Sequence, residues 1–184
     1  MRKRLTRKFF SRPTLEVAQS LLGKYLVRKK AGVVKEGKIV EVEAYIGPQD
    51  KASHAYQGKI TPRNIAEYLP GGHIYICLVY GMYWQLNIST YKAGYPECVL
   101  IRALQVKGEK ENVANGPGKL CRYLGLNKSF YGEDLVVSKR IWVEDRGERI
   151  DPSQILATAR IGIDYAGPYW SKRKWRFLLK KIIL

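Results

Sequence analysis

The stretch that most constrains the fold is GKIVEVEAYIG, which runs from Gly37 to Gly47. It is rich in β-branched residues, it alternates, and a glycine bounds each end, so it predicts a β-strand. Successive side chains of a strand point to opposite faces. The strand should therefore have an apolar and a polar face, formed by Val40, Val42 and Ala44 and by Glu41, Glu43 and Tyr45 respectively. The polar face suits either exposure to solvent or a site that needs a base beside a flat stacking surface.

Further short elements are predicted around this strand. Ser11, Pro13 and the sequence LEVAQSLLG indicate a helix that ends at Gly23. Lys24–Lys30 is predicted to be a strand that forms a hairpin with the strand at Gly37–Gly47, through a turn at residues 31–36. Other predicted elements are strands at 73–79, 84–90, 97–104 and within 135–143, a helix after the NGPG at 115–118, a helical turn within 151–159, and a closing strand or helix in the tail.

These elements predict one domain spanning residues 1–184, of mixed α/β (α+β) class. We expect a curved, mostly antiparallel β-sheet, short helices that cover it, and a protruding β-hairpin. Residues 1–10 are expected to be a basic, partly mobile lead-in to this domain.

The composition excludes several classes of protein. A chain of 184 residues fits one domain. It has no run of about 18 apolar residues, as a membrane span would need, and its basic N-terminus lacks the apolar run of a signal peptide. Cys77, Cys98 and Cys121 form no CxxC pair, and His54 and His73 are far apart. We therefore expect no disulfide, no metal or other cofactor, no membrane partner, and an intracellular location.

The net charge points to a polyanionic partner. Lys and Arg number 33 against 16 Asp and Glu, which gives +17. Neutralising phosphates releases condensed counterions, so such an excess favours nucleic acid. The 13 tyrosines and 4 tryptophans supply rings that can stack on bases. A membrane surface is the lesser option, and a basic but ordinary enzyme is the remaining alternative.

The predicted hairpin at 73–90 has an unusual tip, because Tyr80, Met82 and Tyr83 surround Gly81 there. Bulky apolar side chains are unfavourable at an exposed turn unless they meet a partner. On a basic protein the partner can be a DNA base step that the side chain wedges open. The alternative is that the tip packs back on its own domain.

Two other places suit a phosphate. Arg63 and Asn64 follow Pro62 in a long polar loop, where they either contact a phosphate or start a short helix. The helix after NGPG presents its N-terminus and Lys119, a combination that can hold an anion.

Arg102 stands in the apolar run ECVLIRAL. A mostly buried guanidinium needs a carboxylate or a phosphate. Glu41 or Glu43 on a neighbouring strand would satisfy it.

Six stretches in order resemble one known family. They are GKIVEVEAYIGPQDKASHA, TPRN, YGMYWQLNIS, CVLIRAL, NGPGKLC and ARIGIDYAG, and together they span roughly residues 5–178. The chain is similar in these stretches to the alkyladenine (3-methyladenine) DNA glycosylases. The resemblance implies an enzyme that flips an alkylated or deaminated purine out of duplex DNA and hydrolyses its N-glycosidic bond, leaving an abasic site. It also implies water as the nucleophile and no metal, and we expect the protein to act as a monomer.

The resemblance assigns three residues to the chemistry. Glu43 matches the general base that deprotonates the attacking water. Arg102 matches the arginine that holds this water, and the backbone carbonyl of Ile161 matches its third contact. A cation close to Glu43 is expected to favour the ionised carboxylate that a base requires.

Other matches concern the flipped nucleotide. Tyr45 matches the aromatic residue that stacks on the base, and His54 matches the histidine across the pocket. Asn87 matches the side chain that crowds out a 2-amino group. Tyr80 matches the tyrosine that fills the gap left in the duplex, which favours the wedge over a tip packed on its own domain.

One position departs from the family pattern. A second stacking tyrosine usually lies three residues before the wedge, and Cys77 stands there in this chain. The loss of one stacking ring, worth roughly 1–3 kcal/mol per base, puts the range of lesions in doubt. Two alternative functions remain: a non-enzymatic RNA- or DNA-binding protein, and a glycosylase with lyase activity that uses a lysine amine.

Overall fold

The computed structural model describes residues 2–180. Nine strands form one sheet in the order β1-β7-β2-β3-β6-β5-β4, with β9 added beside β3 and β8 beside β9, and every pairing is antiparallel. The strands are β1 (Lys3–Arg4), β2 (Tyr25–Lys30), β3 (Val33–Ile46), β4 (Ile74–Val79), β5 (Tyr83–Ser89), β6 (Glu97–Gln105), β7 (Ile141–Asp145), β8 (Ile155–Thr158) and β9 (Arg176–Leu179). The sheet curls into a half-barrel, which confirms the predicted mixed fold with a curved antiparallel sheet.

The helices are short and lie against this sheet. They are α1 (Arg7–Phe10), α2 (Thr14–Leu21), α3 (Pro117–Leu124) and α4 (Pro168–Ser171), and single 3₁₀ turns occur at 56–58, 65–68, 128–130, 152–154 and 164–166. The predicted end of α3 at Gly125 is confirmed, and the helix begins at Pro117, two residues before the predicted start after NGPG. Pro117 occupies its first turn, and Gly125 ends it with a φ of 64° that suits glycine.

Strand β3 is the centre of the sheet, and it is longer than predicted. Its first half pairs with β2, its second half pairs with β6, and its segment Glu41–Glu43 also pairs with β9 on the other edge. The hairpin to β2 is confirmed, but its turn is only Ala31-Gly32, with φ values of 46° and 80°. Two residues with positive φ close a tight hairpin, so residues 33–36 extend the strand.

The ladder between β3 and β6 is irregular where it carries the polar residues. Ile39 is opposite Leu104, Glu41 is opposite Ala103, and Val42 is opposite Ile101. Val40 on β3 and Arg102 on β6 therefore have no partner in the ladder. Ile39, Val42 and Ala44 lie in the main core, whereas Val40 does not. The prediction that Val40 shares a face with Val42 is therefore wrong, because the bulge changes the alternation at this point.

Residues 2–10 belong to the fold. Strand β1 pairs with β7, and both Leu5 and Phe10 are buried in the main core. The expected lead-in is therefore corrected for the part of it that the structure describes, because its apolar residues pack and its backbone pairs.

Two elements near the C-terminus differ from expectation or refine it. The predicted helical turn within 151–159 is a 3₁₀ turn at Pro152–Gln154, and it leads directly into β8, which the sequence did not predict. The tail forms a strand, β9, which pairs within the sheet. Residues 181–184 of the tail lie outside the described part of the chain. Among residues 2–180, no helix is long and apolar enough to cross a membrane.

Candidate active site

Glu43 lies at the centre of the sheet, and its side chain is 0% exposed. Strands β6 and β9 flank it, so neither side of the backbone is open to water. Its Oε1 accepts the backbone N–H of Ile161 at 2.8 Å, and its Oε2 accepts the hydroxyl of Tyr45 at 2.9 Å. The polar face of β3 is therefore an enclosed site, and the alternative of a solvent-exposed face is wrong.

Arg102 links the two carboxylates of β3. Its Nε donates to Glu41 Oε1 at 2.8 Å, and its Nη1 lies 3.3 Å from Glu43 Oε1. Arg176 of β9 binds the same Glu41 oxygen at 3.0 Å. This confirms that Arg102 finds a carboxylate on the neighbouring strand, and it makes Glu41 the residue that holds the arginine in place.

Opposing effects determine the pKa of Glu43. Burial raises the pKa of Glu43, and this effect outweighs Arg102, the Ile161 N–H and the Tyr45 hydroxyl, each of which lowers it. Arg102 therefore favours the ionised carboxylate, as expected, but removal from water is the larger effect. The contact from Ile161 is its N–H; the predicted role of its carbonyl toward water stays a prediction.

A buried ion pair lies behind Tyr45, and the sequence did not predict it. Arg160 donates from Nη2 to Asp50 at 2.9 Å and from Nη1 to the carbonyl of Ala44 at 3.0 Å, and the side chains of the ion pair are fully buried. The guanidinium carbon sits 4.7 Å from the centroid of the Tyr45 ring. Arg160 precedes Ile161 in the chain, so this pair fixes both the ring and the Ile161 N–H beside Glu43.

A second polar cluster joins His54 to the hairpin. The Nδ1 atom of His54 lies 2.6 Å from the hydroxyl of Tyr75, which the sequence reading also missed. Tyr75 is opposite Asn87 in the β4–β5 ladder, and Asn87 Nδ2 donates to the Tyr75 carbonyl at 3.1 Å. Cys77 is buried in a small cluster with Tyr75, and Tyr45 packs against that cluster. The structure therefore brings these predicted pocket residues together with Tyr45.

The hairpin tip is exposed, as the wedge requires. Tyr80 is 82% exposed, Met82 is 65% exposed, and Tyr83 is partly covered where its ring meets Gly118 at the start of α3. A Cβ at residue 118 would lie only 3.0 Å from the Tyr83 ring, so Gly118 lets this ring lie close to the helix backbone. The alternative in which the tip packs back on its own domain is not what the structure shows for Tyr80.

The candidate phosphate contacts differ in their exposure to solvent. Arg63 is exposed, and it donates to the carbonyl of Leu78 at 3.1 Å, just below the hairpin tip. Lys119 is exposed in the first turn of α3. Asn64, by contrast, is buried and donates to the carbonyls of His54 and Lys59. Asn64 directly precedes the 3₁₀ turn Ile65–Tyr68 and holds its loop in place, so for Asn64 the alternative of a short helix is correct and the phosphate contact is not.

No group of three or more His, Cys, Asp or Glu side chains within residues 2–180 is arranged to hold a metal ion. All three cysteines are free and buried.

Comparisons with known proteins identify the family of this chain. The methylpurine-DNA glycosylase (MPG) family model matches residues 8–182. A putative 3-methyladenine DNA glycosylase of Methanocella arvoryzae is 45% identical, over 94% of this chain and 90% of the relative. One from Bdellovibrio bacteriovorus is 41% identical, over 96% and 95%. The DNA-3-methyladenine glycosylase of Mus musculus is 38% identical, over 96% of this chain and 59% of the mouse protein. The chain therefore belongs to the methylpurine-DNA glycosylase family, as its motifs indicated.

Proposed function

We propose that this protein flips alkylated or deaminated purines out of duplex DNA and hydrolyses the N-glycosidic bond with water that Glu43 activates. Its family membership makes it a DNA-3-methyladenine glycosylase, a hydrolase of N-glycosyl bonds that acts in DNA repair. The observation that carries the finer proposal is the enclosed carboxylate of Glu43 beside Arg102 and Tyr45. A binding protein has no need of such an arrangement.

Glu43 is placed to act as the base in this reaction. The water loses a proton to the carboxylate as its oxygen attacks C1′, and the bond electrons leave with the base. Arg102 holds the water and opposes the effect of burial on Glu43. In the free protein Oε2 already accepts from Tyr45, so water must share that oxygen or displace the tyrosine hydroxyl when the nucleotide enters.

Tyr45, His54 and Asn87 are proposed to hold the flipped base. One face of the Tyr45 ring has Arg160 near it, so the base would stack on the other face. The charge of Arg160 is balanced by Asp50, which limits its repulsion of a cationic alkylated purine. Cys77 stands where the family pattern has a second stacking ring, so we propose a looser grip on the base.

The tip residues Tyr80, Met82 and Tyr83 are proposed to enter the duplex where the nucleotide leaves it. Arg63 and Lys119 are proposed phosphate contacts. The +17 net charge supports binding to the duplex. We propose that the protein acts as a monomer, with no membrane and no metal involved.

The test is single-turnover release of base from a methylated duplex, with DNA binding followed in parallel. Release of free base and an abasic product supports the proposal. Tight binding without release from alkylated, hypoxanthine or ethenoadenine duplexes would favour the non-enzymatic binding protein. A covalent adduct trapped by borohydride on damaged DNA would replace the water mechanism with a lysine amine.

The rate of base release should depend on pH through Glu43. Because burial raises its pKa, the carboxylate becomes ionised only above the ordinary value of 4.5. We therefore expect the single-turnover rate at saturating enzyme to rise with pH through that raised pKa and then to level off. Circular dichroism over the same range controls for unfolding.

The charge of Arg102 provides a check on that assignment. Arg102 lowers the pKa of Glu43, so Arg102→Gln should move the acid limb of the rate profile to higher pH. A limb that stays in place, or that moves to lower pH, would assign the titration to another group.

Tyr80→Ala should weaken binding to a lesion duplex and slow base release together. The lost stacking is worth roughly 1–3 kcal/mol, or about 5- to 150-fold. The fold should be unaffected, because Tyr80 is 82% exposed. Tyr95→Ala is the control, because Tyr95 is exposed in the loop at the opposite end of β5. Equal effects of the two changes would contradict the wedge.

A further inference from the structure

Glu67 is a buried carboxyl group that the mechanism above does not use. It lies in the 3₁₀ turn Ile65–Tyr68, and its side chain is 1% exposed. Its Oε2 is buried and has no hydrogen-bond partner among the described residues. Carboxylates are strongly hydrated, and burying one with an empty oxygen is costly, so this setting favours the neutral acid.

The same carboxyl group and one hydroxyl both lie close to His54. The Tyr75 hydroxyl lies 2.6 Å from His54 Nδ1, and its interaction with Glu67 lowers the pKa of that carboxyl group. Glu67 Oε1 itself is 4.0 Å from that nitrogen. Asn64 ties this turn to the His54 loop by donating to the His54 carbonyl at 3.1 Å. The three groups therefore form a fixed row.

The outer end of the row faces away from Tyr75. The His54 side chain is 43% exposed, and Nε2 has no hydrogen bond within the described part of the chain. The hydrogen-bonding character of Nε2 is set by the other nitrogen, because a neutral imidazole has one donor and one acceptor.

We propose that Glu67, acting through the Tyr75 hydroxyl, determines which nitrogen of His54 carries the proton and thereby which lesions the pocket prefers. The lesion preference rests on the proposed function, since it needs His54 to meet the flipped base. When Glu67 is neutral, its O–H donates to Tyr75, Tyr75 donates to Nδ1, and Nε2–H is a donor toward the base. This state favours a lesion with an acceptor, such as the carbonyl oxygen of hypoxanthine.

Loss of one proton reverses the row. The Glu67 proton passes to the Tyr75 oxygen, the Tyr75 proton passes to Nδ1, and the Nε2 proton leaves to solvent. Nε2 is then an acceptor, and it favours a lesion with an amino group, as in an alkylated adenine. Glu67 is the positioning residue in both states, and His54 is the group that touches the base.

Among the groups around His54, Glu67 is the one expected to change its protonation state near pH 8. Burial raises the pKa of Glu67 to about 8. The other titratable groups that interact with it have raised pKa values and stay neutral through that range, and they are Tyr68, Tyr75, Cys77, Cys98 and Tyr131. Arg63 is the cation near His54, and together with burial it lowers the pKa of the imidazole, which keeps the ring neutral.

The direct test reads the His54 ring by nitrogen-15 NMR in the full chain without DNA. The chain has 2 histidines, so His54→Gln identifies the signal by its loss. The wild type should show a bare Nδ1 at about pH 6.5 and a protonated Nδ1 at about pH 9.5, with a midpoint near a pKa of about 8. Glu67→Gln cannot ionise, so it should remove this pH dependence, and Tyr75→Phe should remove it by cutting the link. One unchanged tautomer in the wild type, or the same change in both variants, overturns the proposal.

The second test measures lesion preference. The ratio of hypoxanthine to 3-methyladenine release in single turnovers should fall about tenfold from the lower to the higher pH in the wild type, the cost of one lost hydrogen bond. It should stay flat in Glu67→Gln. The ratio cancels the titration of Glu43, which both reactions share. An equal fall in both proteins overturns the lesion preference. Failure of the wild type to release either base overturns the proposed function and the preference with it, while the NMR result still decides whether Glu67 controls His54.

Discussion

Glu43→Gln should slow base release by orders of magnitude while the protein still folds and binds a lesion duplex. The amide keeps the size of the side chain, and it can still accept the Ile161 N–H. It cannot take a proton from water, so we expect the single-turnover rate to fall by about 10²–10⁴-fold. The measurement is release of base from a methylated duplex at saturating enzyme, with affinity measured by fluorescence anisotropy on the same duplex.

Glu41→Gln is the matched control for that variant. Glu41 lies on the same strand, also contacts Arg102, and carries the same charge. It has a second arginine, Arg176, and is assigned no part in proton transfer. Its replacement weakens hydrogen bonds that keep Arg102 in place, so a loss of less than about tenfold is expected. If the Glu43→Gln variant released base at a rate close to that of the wild type, or if both variants lost the same activity, Glu43 would not be the general base.

The local pattern of the sequence was enough to predict the strand that holds the site. Alternation between Gly37 and Gly47 predicted β3, and the isolated Arg102 in an apolar run predicted a carboxylate partner on the next strand. Both predictions concern neighbours in a ladder, where periodicity and charge carry the information. The bulge that leaves out Val40 has no such signal, since no glycine or proline marks it.

The enclosure of the site could not be predicted, because it depends on distant segments. Glu43 is buried because β9 and the residues around Ile161 cover it, and these lie more than 100 residues along the chain. Its raised pKa follows from that burial, and the nearby Arg102, which the sequence does show, accounts only for the smaller, opposing effect. Glu67 was missed for the same reason: a single acidic residue in a loop is ordinarily exposed.

The Asp50–Arg160 pair should show the largest effect on stability. Arg160→Met removes the cation and leaves the Asp50 carboxylate fully buried, so we expect unfolding in urea to show a loss of about 3–5 kcal/mol. Asp50 would retain only the N–H groups of Ala52 and Ile46 as partners. The double variant Asp50→Asn/Arg160→Met removes both charges and should recover part of the loss, because no ion is then buried alone.

Lys38→Met provides the comparison on the surface. Lys38 pairs with Glu148 at 2.9 Å, but both side chains are partly exposed, so water replaces the lost contact and the cost should be about 0–1 kcal/mol. A loss for Arg160→Met no larger than this, or a double variant as unstable as the sum of its single changes, would show that the buried pair is not coupled.

If the two residues are coupled, the pair should also affect the rate of base release. The Arg160 guanidinium lies against one face of the Tyr45 ring, and Arg160 directly precedes Ile161 in the chain. The double variant should therefore regain stability but release base more slowly than the wild type, because the Tyr45 ring and the Ile161 N–H lose the side chain that positions them beside Glu43.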